Sequence, residues 1–166
     1  QNLEFEVIMV LQGLTGKVEA VLRDYQFSFN LKFVSVDEAT NRARGRNLGV
    51  GAAKNEIILF LESTLEISPG LLYRHLEAYG DEATAAVMGE IYLSAFVKKN
   101  RWFRFLDSDY RSTRRWAAQT GSNHSPPLRY VNTSNFSIRK KIFEAFGGYA
   151  EHVDHHEAED IDLAHR

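Results

Sequence analysis

Cysteine is absent from this chain, which excludes disulfides, thiolate metal centres and thiol nucleophiles and fits a reducing compartment. Net charge is nearly absent as well: 20 Lys and Arg stand against 22 Asp and Glu, a formal charge of -2. Nothing in that balance draws the whole chain to nucleic acid, so an anionic ligand has to be met by a local cluster. Long apolar runs are also missing. The longest, EIILFLES (56–63), is too short to span a bilayer, and the first residues carry no charged-then-apolar signal pattern. These absences point to a mature cytoplasmic protein. A length of 166 residues, 44% hydrophobic and 25% charged, is expected to give one domain, 1–166, with one core.

What is present alternates. FEVIMVL (5–11) is a nearly continuous apolar run, QGLTG is turn chemistry, and KVEAVLRDY is helical. LKFVSV (31–36) reads as a second strand, ATNRARGRNLGVGAAKN as a helix, and EIILFLE (56–62) as a third strand. Strands alternating with helices predict neighbouring parallel strands. A run as apolar as IILFL is expected at the centre of a sheet covered on both faces, with Glu62 at its C-terminal end, where such sheets bind ligands. Ser68 is a candidate cap for a helix with Pro69 in its first turn and Leu71, Leu72, Leu76 and Tyr79 as its buried stripe. TAAVMGEIYL (84–93) and LRYVNTSNFSI (128–138) read as strands, and RKKIFEAF as a short helix stopped by Gly147 and Gly148.

Three charged stretches carry the candidate chemistry. In the last fourteen residues, five acids and three histidines accompany the segment EDIDL. By spacing alone these acids suit a solvated first turn of a helix. Arg42, Arg44 and Arg46 do not form one narrow stripe and by themselves suit a solvated face. His152, His155, His156 and His165 lack a further ligand at fixed geometry and read as surface residues or acceptor contacts, with His156 the one to test. The stretch 98–116 holds seven Lys or Arg against two Asp, interleaved with five aromatics. It is open to lining an acceptor site, resting on an anionic membrane surface, or packing Trp102, Phe103, Phe105 and Trp116 into a core, the last being the default.

Together these pieces resemble the family 2 glycosyltransferases. ARGRNLGVGAAKNEIILFLES is similar to the family's Ala-Arg-Asn-x-Gly helix and the strand that ends in Asp-x-Asp. NTSNFSIRKKIFEAFGGYAEHVDHHEAEDIDLAHR is similar to its Asn-x-Ser, Arg, Phe, Gly-Gly-Phe-Asp-Glu block followed by Glu-Asp-x-Asp-Leu and Arg. VIMVLQGLTGKVEAVL keeps the backbone pattern of the family's second strand and its Asp-Asp-Gly-Ser turn. Two motifs depart from the pattern: Glu62-Ser63-Thr64 stands where the family has Asp-x-Asp, and Leu11-Gln12-Gly13-Leu14 where it has Asp-Asp-Gly-Ser. The family's first strand and its Pro-x-Tyr-Asn turn are also missing, so a chain incomplete at both ends is expected.

The resemblance implies an α/β, GT-A-like three-layer sandwich with a mostly parallel central sheet. It implies inverting transfer of a sugar from a nucleotide-diphospho-sugar to an acceptor hydroxyl on a glycan or lipid-linked acceptor, in polysaccharide or glycan biosynthesis. Asp160 would be the general base; a carboxylate beside another acid such as Glu159 can have its proton affinity raised towards working pH. Arg46, Asn47, Glu62, Ser63, Asn135 and Glu159 would contact the donor, a guanidinium such as that of Arg46 suiting phosphate oxygens. Glu62 and Thr64 would hold Mg or Mn, weakly, because Thr64 supplies only a neutral hydroxyl. No nucleic-acid partner is expected, and 98–116 is the candidate for peripheral membrane contact. The rival expectation is a catalytically degenerate GT-A-fold module that binds without turning over.

Overall fold

The structure, a computed structural model, describes residues 3–13, 15–92, 94, 99–102, 127–152 and 158–166. The chain forms two compact units, one of residues 1–58, 138–164 and 166, the other of residues 59–137 and 165.

In the first unit, β1 (Glu6–Gln12) and β2 (Asn30–Val36) pair in parallel, in register from Glu6 opposite Asn30 to Gln12 opposite Val36. Parallel neighbours need a crossover, which α1 (Thr15–Arg23) supplies after a turn at Gly13, φ +75°. At the start of the pair, Lys32 Nζ donates to Glu6 Oε2, and the Lys54 amide donates to Glu6 Oε1 at 2.7 Å. The Lys32 ammonium, with that amide, holds the Glu6 carboxyl below its ordinary range. Helix α2 (Arg42–Ala52) begins at Asn41, whose side chain accepts from the Arg44 amide at 2.8 Å. It lies close on β1 because Gly45 and Gly49, one turn apart, carry no Cβ: one on Gly49 would stand 3.0 Å from Val10 Cγ2. Among the described residues, Ala43, Val50, Ile138, Phe143, Tyr149 and Leu163 are the buried apolar side chains of this first unit.

Strand β3 (Ile57–Leu61) is not hydrogen-bonded to β1 or β2. It belongs to a three-stranded sheet of order β3-β5-β4, with β4 at Ala86–Met88 and β5 at Asn135–Arg139. The Lys140 amide donates to Glu56 O at 2.7 Å and the Glu62 amide to Ser134 O at 2.9 Å. Moving forward along β3 therefore moves backward along β5, and the two are antiparallel. The α/β class is as expected; the sheet is only partly parallel, because β3 and β5 run in opposite directions, and β5 leads straight into α4 (Lys140–Ala145). The expectation that IILFL occupies a covered centre is also corrected. Within this sheet β5 is central, with Asn135 to Ile138 all buried, whereas Leu61 is exposed.

In the second unit α3 runs over Leu71–Ala78, starting after Gly70 at φ +79° rather than at Ser68 and Pro69. The Ser68 carbonyl accepts the Leu71 amide and its hydroxyl accepts from Arg74 Nη2. Tertiary packing also shortens two predicted strands. Among the described residues of 84–93 only Ala86–Met88 is strand. Of 128–138, Leu128–Tyr130 after Pro127 is a 3-10 turn, and pairing starts at Asn135. Helix α4 ends as expected, with Gly147 and Gly148 at φ +77° and +71°.

Candidate active site

Helix α5 (Ala158–His165) carries Glu159 and Asp160 in its first turn, and both are 4% exposed. The solvated reading of these two acids is thereby overturned: burying carboxylates is unfavourable unless they are paired, and Arg46 supplies the pairing. Its Nη1 lies 3.0 Å from Asp160 Oδ1 and 3.3 Å from Glu159 Oε1. Arg42 Nε stands 3.9 Å from Glu159 Oε1 with its side chain 40% exposed, against 15% for Arg46. Arg44 is exposed. Of the three arginines, then, Arg46 is the one turned fully into the cluster.

Arg46 is itself supported from beneath. Its guanidinium carbon lies 5.1 Å from the centroid of the Tyr149 ring, a cation–π contact. Tyr149 is buried and meets Phe143 edge-on, centroids 5.4 Å apart. Asn47, next along α2, fixes the backbone of Tyr149 from both sides. Asn47 Nδ2 donates to Tyr149 O and Oδ1 accepts from Tyr149 N, each at 2.9 Å, and Nδ2 also donates to Glu151 Oε1 at 2.9 Å. Gly148 makes that approach possible, since a Cβ there would lie 2.7 Å from Asn47 Oδ1. At the far end of α5, Arg166 donates to the carbonyls of Phe146 and Gly148 and pairs with Asp162 at 2.7 Å, tying the helix to the glycine turn.

The other predicted residues sit in the second unit. Glu62 is half-buried at the end of β3; Ser63 and Thr64 are exposed, and the Leu65 amide closes a turn onto Glu62 O at 3.1 Å. Their side chains offer one carboxylate and two neutral hydroxyls. Among the described residues no three His, Cys, Asp or Glu gather as a metal site. Glu62 is the one charged hard-oxygen donor of the three, so Mg or Mn held here would take most of its remaining ligands from water and substrate phosphates. Asn135 is buried and its amide is engaged: Nδ2 donates to Glu90 O at 3.2 Å, and Oδ1 lies 3.0 Å from His75 Nε2.

Sequence reasoning missed His75. It is 4% exposed, with Nδ1 2.8 Å from Ser137 Oγ, which in turn is 2.9 Å from Tyr79 Oη. Burial pushes its pKa down, against a smaller opposing effect of the Asn135 hydrogen bond. The available signal was its position four residues after Leu71 and four before Tyr79, on the stripe already assigned to the interior. Gln12 was noted only as a departure from an acidic motif. Its amide donates to Glu38 O at 2.7 Å and Thr40 O at 2.6 Å, so it fastens the end of β1 to the loop after β2.

His152 and His165 are exposed. His155, His156 and Asp154 lie outside the described residues, as does most of 98–116. Within that stretch Trp102 is described and is 60% exposed, so it does not pack into a core as expected by default. No helix among the described residues is long and apolar enough to cross a membrane.

The profile of the family described as "Glycosyl transferase family 2" matches residues 1–147. The chain belongs to glycosyl transferase family 2. The family match ends at Gly147, so the Glu159–Asp160 pair lies beyond the matched residues. A curated relative, the uncharacterized glycosyltransferase YfnE of Bacillus subtilis, is 30% identical over 86 residues, 52% of this chain and 22% of that protein. Among solved structures, S. aureus TarS 1-349 superposes with a TM-score of 0.62 at 16% identity, covering 95% of this chain and 44% of that one. This family 2 chain therefore has a GT-A-like fold and spans less than half the length of either relative.

Proposed function

We propose that this chain is the catalytic part of an inverting glycosyltransferase that uses a nucleotide-diphospho-sugar donor, with Asp160 as general base. In a single displacement the acceptor oxygen attacks the anomeric carbon and its proton passes to Asp160. The bond from that carbon to the diphosphate oxygen breaks, and the nucleoside diphosphate leaves with the electron pair. The observation that carries the reading is the burial of Asp160 and Glu159 against Arg46, in a family 2 chain whose EDIDL segment resembles the family's base motif. Burial keeps bulk water away from the base, which limits hydrolysis in place of transfer. The acceptor is a glycan or a lipid-linked acceptor.

A second reading, a degenerate GT-A module that binds nucleotide without turnover, is favoured by Glu62-Ser63-Thr64 in place of two acids. Calorimetric titration of the protein with uridine and guanosine diphosphates, with and without Mn, together with release of nucleoside diphosphate from the matching sugars, separates the two. Binding with release supports the transferase. Binding without release supports the module, and no binding of any nucleotide defeats both.

A further inference from the structure

The Arg-Asn pair of α2 suggested phosphate contacts, yet in the structure both side chains work on the segment 148–160. Arg46 Nη1 is shared between Asp160 Oδ1 and Glu159 Oε1, and its guanidinium lies over Tyr149. Asn47 holds the backbone of Tyr149 through both its N–H and its carbonyl. A guanidinium fixed on one side by an aromatic ring, itself fixed by a two-point amide clamp, has little rotational freedom left. A carboxylate bonded to it inherits that restriction, because Oδ1 can leave Nη1 only by losing a buried, charge-assisted hydrogen bond.

We propose that Arg46 is a positioning residue for Asp160, acting through the carboxylate and not through the donor phosphates, with Asn47, Gly148 and Tyr149 as the support that holds Arg46 in place. The inference rests on the assignment of Asp160 as the base. It also gives a use to Glu159: by sharing Nη1 it balances the pull on the guanidinium, so that Arg46 stands between two carboxylates and is not collapsed onto one. Lys at position 46 keeps the charge but loses the planar group that both reaches the two acids and stacks on the ring.

The test compares wild type, Arg46→Lys, Asp160→Asn and Arg46→Lys/Asp160→Asn for turnover of a nucleotide-sugar and for calorimetric affinity towards uridine and guanosine diphosphates. A displacement of about 1 Å can cost about a hundredfold in rate, so Arg46→Lys is expected to lower kcat by about 10- to 100-fold while nucleotide Kd stays within about threefold. In the Asp160→Asn background the same change is expected to add little, since the loss passes through the missing carboxylate. A tenfold or larger rise in nucleotide Kd, or a full additional loss in the double variant, overturns the inference and leaves the base assignment standing. Near-normal turnover in Asp160→Asn alone overturns the base assignment itself.

A second arm does not depend on activity and keeps a cation beside both buried acids. In a crystal structure of Arg46→Lys, which retains the charge but not the planar group, Asp160 is expected to adopt a different rotamer. An Asp160 carboxylate in its original place overturns the inference.

Discussion

Two adjacent glycines at positive φ give a controlled experiment on what holds the Arg46 support together. Gly147, φ +77°, has no atom within 4 Å of a built Cβ; Gly148, φ +71°, would place one 2.7 Å from Asn47 Oδ1 and 3.1 Å from Phe143 Cε1. Gly147→Ala therefore carries only the left-handed penalty, about 1–2 kcal/mol. Gly148→Ala carries that penalty plus the overpacking, about 1–3 kcal/mol more. Asn47 is a side chain and in principle free to retreat, but retreat would break its two 2.9 Å bonds to the Tyr149 backbone. Urea unfolding resolves the difference: with m of about 2 kcal/mol/M, a gap of about 2 kcal/mol moves the midpoint by about 1 M. In an Asn47→Ala background the excess penalty at position 148 should shrink, because its nearest obstacle is gone. Equal destabilisation by the two glycine variants, or an excess unchanged by Asn47→Ala, would refute the proposed clamp.

Two further outcomes are expected. Thr64→Asp should tighten Mn binding, measured by calorimetry in the presence of nucleoside diphosphate, because it restores a charged oxygen donor beside Glu62; unchanged affinity would show that Glu62 and Thr64 are not where a divalent ion binds. His75 is held neutral by burial, its folded pKa below the unfolded 6.5. Below pH 6.5 the unfolded chain binds the proton first, so this contribution is complete above that pH and is lost as pH falls towards the folded pKa. Urea midpoints measured down through this window should decline less steeply in His75→Gln than in wild type, and parallel declines would contradict the assignment.

The parts of the fold legible in the sequence are those set by local pattern. The apolar runs at 5–11 and 31–36 predicted β1 and β2, whose parallel pairing is observed, and the glycine pair predicted the end of α4. The central position of β5 was not legible, because Asn135 and Ser137 break the apolar pattern that marks a covered strand. They are buried through partners sixty or so residues earlier in sequence, His75 and Tyr79, which no periodicity reveals. The burial of Glu159 and Asp160 was hidden for the same reason: acids at a helix start look solvated until an arginine 113 or 114 residues away is placed beside them. What the sequence did supply was the choice of Arg46 over Arg42 and Arg44, and that choice rested on the family pattern, not on spacing.

The central claim is that Asp160 accepts the proton of the acceptor. Its most direct test is the transfer rate of Asp160→Asn beside that of Asp162→Asn, with nucleotide affinity measured on the same samples. A general base contributes about two to four orders of magnitude, so Asp160→Asn should lose turnover by about that factor while nucleotide Kd is nearly unchanged. Asp162, paired with Arg166 at 2.7 Å, should tolerate the same substitution with little loss. Near-normal turnover in Asp160→Asn would contradict the account.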